Sequence, residues 1–112
     1  MKEPSEILQG TLDMLVLRAL DLGPMHGLGV SDRIQQITGG VFIVRPGSLF
    51  PALQRLAQNG WIVGEWGESE NNRRARYYTL TPAGRVQLGR EKRHWRRAFT
   101  AVNRLLDAEP AP

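Results

Sequence analysis

A chain of 112 residues, 41% of them hydrophobic, is sized for one domain with a modest core, and the lack of cysteine excludes a disulfide framework, a thiolate metal site and a thiol nucleophile. The net charge of +4 is unevenly spread, since residues 1–44 carry three basic and five acidic groups whereas residues 61–97 carry nine basic and four acidic ones. Such a patch suits a polyanion, with a merely solvated face as the alternative; the opening MKEPSEILQG, with two glutamates and no apolar run, reads as neither signal peptide nor membrane span, so a cytoplasmic address is expected.

The first helix is expected over Ser5 to Leu20, where Ile7, Leu8, Leu12, Leu15, Val16, Ala19 and Leu20 recur at helical spacing. Met14 and Leu17 place apolar groups on another side, and a helix apolar on more than one side normally has more than one packing partner. Gly23-Pro24 ends it. Met25-His26-Gly27 leads into a second helix, with Val30, Ile34 and Ile37 inward and Asp32, Arg33, Gln35 and Gln36 outward, stopped by Gly39-Gly40. Val41 to Val44 is a short β-type run, either a small strand joining a later sheet or a buried connector.

The stretch from Arg45 to Tyr78 reads as a helix followed by a β-hairpin. Leu49, Leu53 and Leu56, with Ala52 and Ala57, form one apolar stripe, and Gln54, Arg55 and Gln58 fall on the other face, whose amide and guanidinium groups suit base edges and phosphates. Pro51 limits where this helix can begin, so a start near Gly47 with Ser48 as N-cap is expected. Asn59-Gly60 accepts positive φ and ends it. Trp61-Ile62-Val63 with Trp66, and Tyr77-Tyr78-Thr79-Leu80, are strand-like. Between them a polar loop, Gly67 to Arg76, has Asn71-Asn72 at its tip and Arg73, Arg74 and Arg76 on its returning arm. A helix followed by a basic hairpin is the outline of a winged helix-turn-helix.

Thr81-Pro82 supplies an N-cap and a proline at the first helical position. The helix it opens places Leu88, Trp95, Phe99, Val102 and Leu106 seven, four, three and four residues apart. That is a heptad seam, and two chains paired through it would also cover Met14 and Leu17. The expected fold is mainly α with a small β-hairpin (α+β). Residues 1–80 form the winged helix-turn-helix, 81–107 a C-terminal dimerisation helix and 108–112 a frayed tail.

Four motifs in this order carry a further signal: Gly10-Thr11-Leu12-Asp13-Met14-Leu15-Val16-Leu17, Gly23-Pro24-Met25-His26-Gly27, Gly47-Ser48-Leu49-Phe50-Pro51-Ala52-Leu53, and Arg73-Arg74-Ala75-Arg76-Tyr77-Tyr78-Thr79-Leu80-Thr81-Pro82-Ala83-Gly84. Over nearly its whole length the chain resembles PadR-type transcriptional regulators, and its single last helix resembles the short subgroup in which that helix makes the dimer. The resemblance implies a DNA-binding regulator. The family usually has tyrosine at the position of Phe50, whose hydroxyl is expected to reach a phosphate, and commonly an aromatic at the position of Leu28. Both replacements are apolar, so the fold is kept while affinity or effector response is open to change.

The candidate DNA contacts are therefore Arg45, Ser48, Phe50, Gln54, Arg55, Arg73, Arg74, Arg76 and Tyr77. The candidate dimer interface is Leu8, Met14, Leu17, Leu88, Trp95, Phe99, Val102 and Leu106. Trp95 and Phe99 have two readings: as the core of that seam, which the heptad position alone explains, or, as the resemblance to the short subgroup permits, as a pocket at the two-fold axis that stacks a small planar or phenolic effector. His26 and His94 are the only histidines and make no zinc set; His26 reads as orienting a turn and His94 as part of the basic face. No phosphate loop, nucleophile elbow or paired-carboxylate motif is present, so neither catalysis nor a cofactor is expected. Two readings follow: a homodimeric repressor on an inverted-repeat operator in double-stranded DNA, or a winged-helix protein-interaction module without specific DNA binding.

Overall fold

The computed structural model describes residues 9–68 and 73–111; Leu8 and the expected loop tip at Asn71-Asn72 lie outside the described residues. Four helices and three strands follow in the order α1 (Gln9–Asp21), β1 (Met25–His26), α2 (Gly27–Ile37), α3 (Pro46–Gln58), β2 (Ile62–Glu68), β3 (Arg74–Leu80) and α4 (Pro82–Leu106). The sheet is antiparallel with β3 in the middle, between β1 and β2.

The helix ends follow local chemistry. At the end of α2, Gly39 takes φ 64°, its N–H donates to the Gln36 carbonyl, and Gly40 N–H reaches the Gln35 carbonyl at 2.8 Å. At the end of α3, Gly60 at φ 75° does the same, with Trp61 N–H donating to the Leu56 carbonyl at 3.0 Å. Both are Schellman stops, in which a left-handed glycine satisfies the last carbonyls. Thr81 caps α4: its Oγ1 accepts from Gly84 N–H at 3.0 Å and donates to the Gly60 carbonyl at 2.7 Å, which ties the start of α4 to the end of α3.

α1 lies at the centre, in contact with α2, α3, α4 and β3. Leu17 is fully buried there among Val16, Leu20, Leu49, Leu53 and Leu88. This corrects the expectation that Leu17 awaits a second chain, because its own α3 and α4 fill the second face. Leu88, 2% exposed, is likewise interior, so the seam of α4 opens to solvent only after it. From Arg93 onward nearly every side chain of α4 is exposed. The radius of gyration, 16.2 Å, exceeds the roughly 13 Å of a compact chain this long, because half of α4 extends beyond the body.

One open alternative is decided and two expectations change. The third strand is Met25–His26, paired with Tyr77–Tyr78, so of the two readings left open for Val41 to Val44 the strand falls away. That run is a connector that buries Val44 and leans Phe42 on the core, with Phe42 N–H donating to Thr38 Oγ1 at 3.2 Å. The hairpin strands run to Glu68 and Arg74, so the loop is shorter than Gly67 to Arg76. Ile37, expected to face inward, is 67% exposed, and the buried residues of α2 end at Ile34.

Candidate nucleic-acid interface

α3 begins at Pro46, two residues before Ser48. Arg45 is the N-cap, in extended conformation, and Pro46 occupies the first helical position, where its fixed φ suits the helix and its missing N–H costs nothing. Ser48 therefore lies inside the first turn, its N–H donating to the Arg45 carbonyl at 3.0 Å. Pro51 stands in the second turn, and the helix accepts the bond it withholds from the Gly47 carbonyl. Leu49, Ala52, Leu53 and Leu56 are buried, and the opposite face exposes Gly47, Phe50, Pro51, Gln54, Ala57 and Gln58. Gln54 and Gln58, one turn apart, are the amides on this face, each able to present a bidentate donor–acceptor pair.

Arg55 is not on that face. Its Nη2 donates to Asp13 Oδ1 of α1 at 2.8 Å, with the two side chains 32% and 15% exposed. Among the described residues nothing accepts a hydrogen bond from its buried Nε. The expectation that Arg55 reaches a groove is corrected, because its guanidinium joins α3 to α1. Asp13→Ala should leave this cation unpaired and cost about 1–2 kcal/mol, less than a fully buried pair because both groups keep some solvent. An unchanged midpoint in equilibrium denaturation would show that the pair contributes nothing.

Two adjacent residues join the helix to the wing. His26 Nδ1 accepts from Gly29 N–H at 3.0 Å and caps α2, while its ring meets Tyr77 of β3 edge-on at 5.7 Å. At Gly27 the ring of Phe50 comes so close that a Cβ would lie 3.1 Å from its Cε1. Phe50 is still 47% exposed. The base of the wing and the first turns of α3 thus meet at His26-Gly27.

The wing is β2 and β3. Ile62 and Leu80 pair across the strands and are buried at its base; two and four residues farther out on the same face come Gly64 with Tyr78 and Trp66 with Arg76. Trp66 is 60% exposed and carries two guanidinium groups over its ring, Arg74 at 5.0 Å and Arg76 at 5.9 Å. Arg73, just before β3, is exposed. Tyr77 on the other face donates its hydroxyl to the Glu68 carbonyl at 3.1 Å.

On α4, Trp95 and Phe99 stack at 5.9 Å with 18° between their planes, 41% and 52% exposed; Val102 and Leu106 continue the row at 54% and 74%. Clefts of about 320 and 310 Å³ flank Trp95, both bordered by Met14 of α1. Sequence reading placed Gln54 and Gln58 together on the outer face, as found, but missed the pairing of Asp13 with Arg55 and the arginines over Trp66. No pattern in the chain pairs Asp13 with Arg55, or Trp66 with two arginines across a hairpin.

A three-helix core, a helix exposing amides and a hairpin bearing arginines together define a winged helix-turn-helix of the DNA-binding kind. Residues 16–90 match the transcriptional regulator PadR-like family, and the chain belongs to that family. It is similar to the crystal structure of a PadR-like transcriptional regulator from Bacillus cereus, with 30% identity and a TM-score of 0.79 over 94% of this chain and all of that one. It is also similar to a transcriptional regulator from Clostridium thermocellum, with 27% identity and a TM-score of 0.79 over 89% of this chain and 97% of that one. Against the transcriptional regulator Rv3488 of Mycobacterium tuberculosis it is 37% identical over 69 residues, which cover 62% of this chain and 61% of that protein. Among the described residues no helix is long and apolar enough to cross a membrane.

Proposed function

We propose that this protein acts by binding rather than catalysis, as a cytoplasmic repressor that occupies an inverted-repeat operator as a homodimer. Residues 1–80 are its DNA-binding unit and 81–107 its dimerisation helix. The observation that carries the reading is the junction at His26-Gly27, which holds Phe50 and Tyr77 against neighbouring residues and so keeps α3 and the wing in register with each other. In this reading the exposed face of α3 enters the major groove. Gln54 addresses an adenine there through its bidentate amide, with Gln58 one turn on. Phe50, lacking a hydroxyl, offers an apolar edge. Arg45 and Ser48 at the start of α3, with Arg73, Arg74, Arg76 and Tyr77 of the wing, lie along the backbone. Trp95, Phe99, Val102 and Leu106, with Met14 at their border, form the interface with a second copy. A small planar or phenolic effector stacks on Trp95 and Phe99 near the two-fold axis and releases the DNA.

Selection of DNA from a random pool tests the whole reading. An inverted repeat with half-site centres about one helical turn or a small multiple apart is expected, because a two-fold dimer presents α3 twice. Recovery of no preferred sequence would favour a protein-interaction module. On the selected site, Gln54→Ala should relax the preference at one position per half-site by about 1–3 kcal/mol and leave the others ranked as before. Wild-type ranking at every position would remove Gln54 from base readout. Arg73→Ala combined with Arg74→Ala should lower the slope of log K against log salt by roughly one per lost phosphate contact in each chain. An unchanged slope would take the wing off the phosphates.

A further inference from the structure

Among the described residues Trp66 belongs neither to the core cluster nor to the side chains packed against it. It stands near the outer end of β2, 60% exposed, on the face that at the base of the hairpin carries Ile62 and Leu80. An isolated exposed indole costs solubility and adds nothing to the core beneath it, so its contacts are informative. Among the described residues they include Arg74 and Arg76, with guanidinium carbons 5.0 and 5.9 Å from the ring centroid. The two arginines alternate with Ala75 on β3 and therefore point to one side, about 7 Å apart along the strand. Gly64, next on the same face of β2, leaves the space in which Arg76 lies: a Cβ there would run into the Arg76 guanidinium and touch the Tyr78 ring at 3.0 Å. Indole, two arginines and a bare strand position make a single layered arrangement.

Arginine side chains in solvent sample many rotamers, and each one that a ligand immobilises lowers affinity through lost entropy. A guanidinium over an indole face is attracted by the ring quadrupole and keeps its N–H donors free at the edges, because the contact uses its flat face. Glu68 stands opposite Arg74 in the pairing, so the tip also carries an acid and its field is not that of two bare cations. Placement of the donors, more than excess charge, is what the indole supplies.

We propose that Trp66 is a positioning residue for phosphate binding by the wing: its indole holds Arg74 and Arg76 side by side, ready for neighbouring phosphates of one DNA strand, before DNA arrives. The inference rests on the DNA-binding reading above and adds to it a residue that touches no phosphate. It predicts that removing the indole weakens binding to every sequence alike without removing a charge.

The test uses the full chain and a short mixed-sequence DNA duplex, because phosphate contacts do not depend on sequence. Trp66→Ala should bind roughly tenfold more weakly at fixed salt, with the slope of log K against log salt kept, and Trp66→Phe should recover most of the loss. In a chain already carrying Arg74→Ala and Arg76→Ala, Trp66→Ala should have no further effect. In the DNA-free protein, the side-chain methylene protons of Arg74 and Arg76 should show upfield ring-current shifts that vanish in Trp66→Ala while the melting temperature holds. Wild-type affinity in Trp66→Ala would overturn the proposal, as would a loss that persists undiminished without the arginines, since the indole would then itself be touching DNA. A wild-type protein whose retention on the duplex shows no salt dependence, with the ring-current shifts present, would remove the DNA-binding reading and this role with it.

Discussion

Gly84→Ala should destabilise the chain by about 3 kcal/mol and lower its melting temperature by about 10 °C, the largest stability loss expected from adding one methyl group. Gly84 is buried in the first turn of α4, and a Cβ there would collide with the carbonyl oxygen of Trp61, lie 2.9 Å from its carbonyl carbon and 2.8 Å from Leu80 Cδ1. The obstacle is backbone, and that backbone is fixed: Trp61 O accepts from Thr81 N–H at 3.0 Å, and Thr81 in turn caps the helix. Neither side can yield without breaking the cap or the link between α3 and the wing. Gly89 in the same helix makes the contrast. A Cβ there meets only Arg93 Nη1 at 3.5 Å, an ordinary contact. Gly89→Ala should raise stability by up to about 1 kcal/mol, since alanine is the better helix former. Thermal unfolding followed by circular dichroism compares the two directly. If both variants melt with the wild type, the close approach of α4 to Trp61 is not present in solution.

Phe99→Glu should convert a dimer into monomers and, with that, abolish binding to an inverted repeat. Phe99 lies in the middle of the exposed row from Trp95 to Leu106, on the part of α4 that the described residues leave uncovered. In a two-fold interface the substitution is present twice, and each buried, unpaired carboxylate costs several kcal/mol, comparable with the margin of a small interface. Thr100→Glu, one residue along and off the row, is the control and should leave the dimer intact. Light scattering at micromolar concentration reads the outcome. A monomeric wild type, or a dimeric Phe99→Glu, would remove α4 from the role given to it.

The two variants probe parts of α4 that differ in how they could be foreseen. The cap at Thr81-Pro82 and the periodic row beyond Leu88 are visible in the chain, because cap and seam are set by residues a few positions apart. That Gly84 has to be glycine is not visible, since the atom that forbids a side chain belongs to Trp61. The recognition helix divides similarly. Its buried stripe of Leu49, Leu53 and Leu56 and its stop at Asn59-Gly60 follow from spacing and from glycine's access to positive φ. Its start was expected too late, because Ser48 is a good cap but Pro46 at the first helical position competes better.

The sequence by itself determined the elements: four amphipathic segments, a hairpin, the glycine and proline signals that bound them, and the family they belong to. Each of these rests on interactions between residues close in the chain, whose partners are legible together. Only the tertiary structure decided which apolar and charged groups are already satisfied. Leu17 and Leu88 vanish into the core, whereas Trp95, Phe99 and Val102, equally apolar, stay outside because none of the described residues folds back over that half of α4. Arg55 and Arg76 are both arginines in a basic stretch. One is bound to Asp13, 42 residues away, and the other lies over Trp66 and stays exposed. Whether a side chain is spent on the fold or left for a partner depends on what the packed chain brings opposite it, and residues remote in sequence set that.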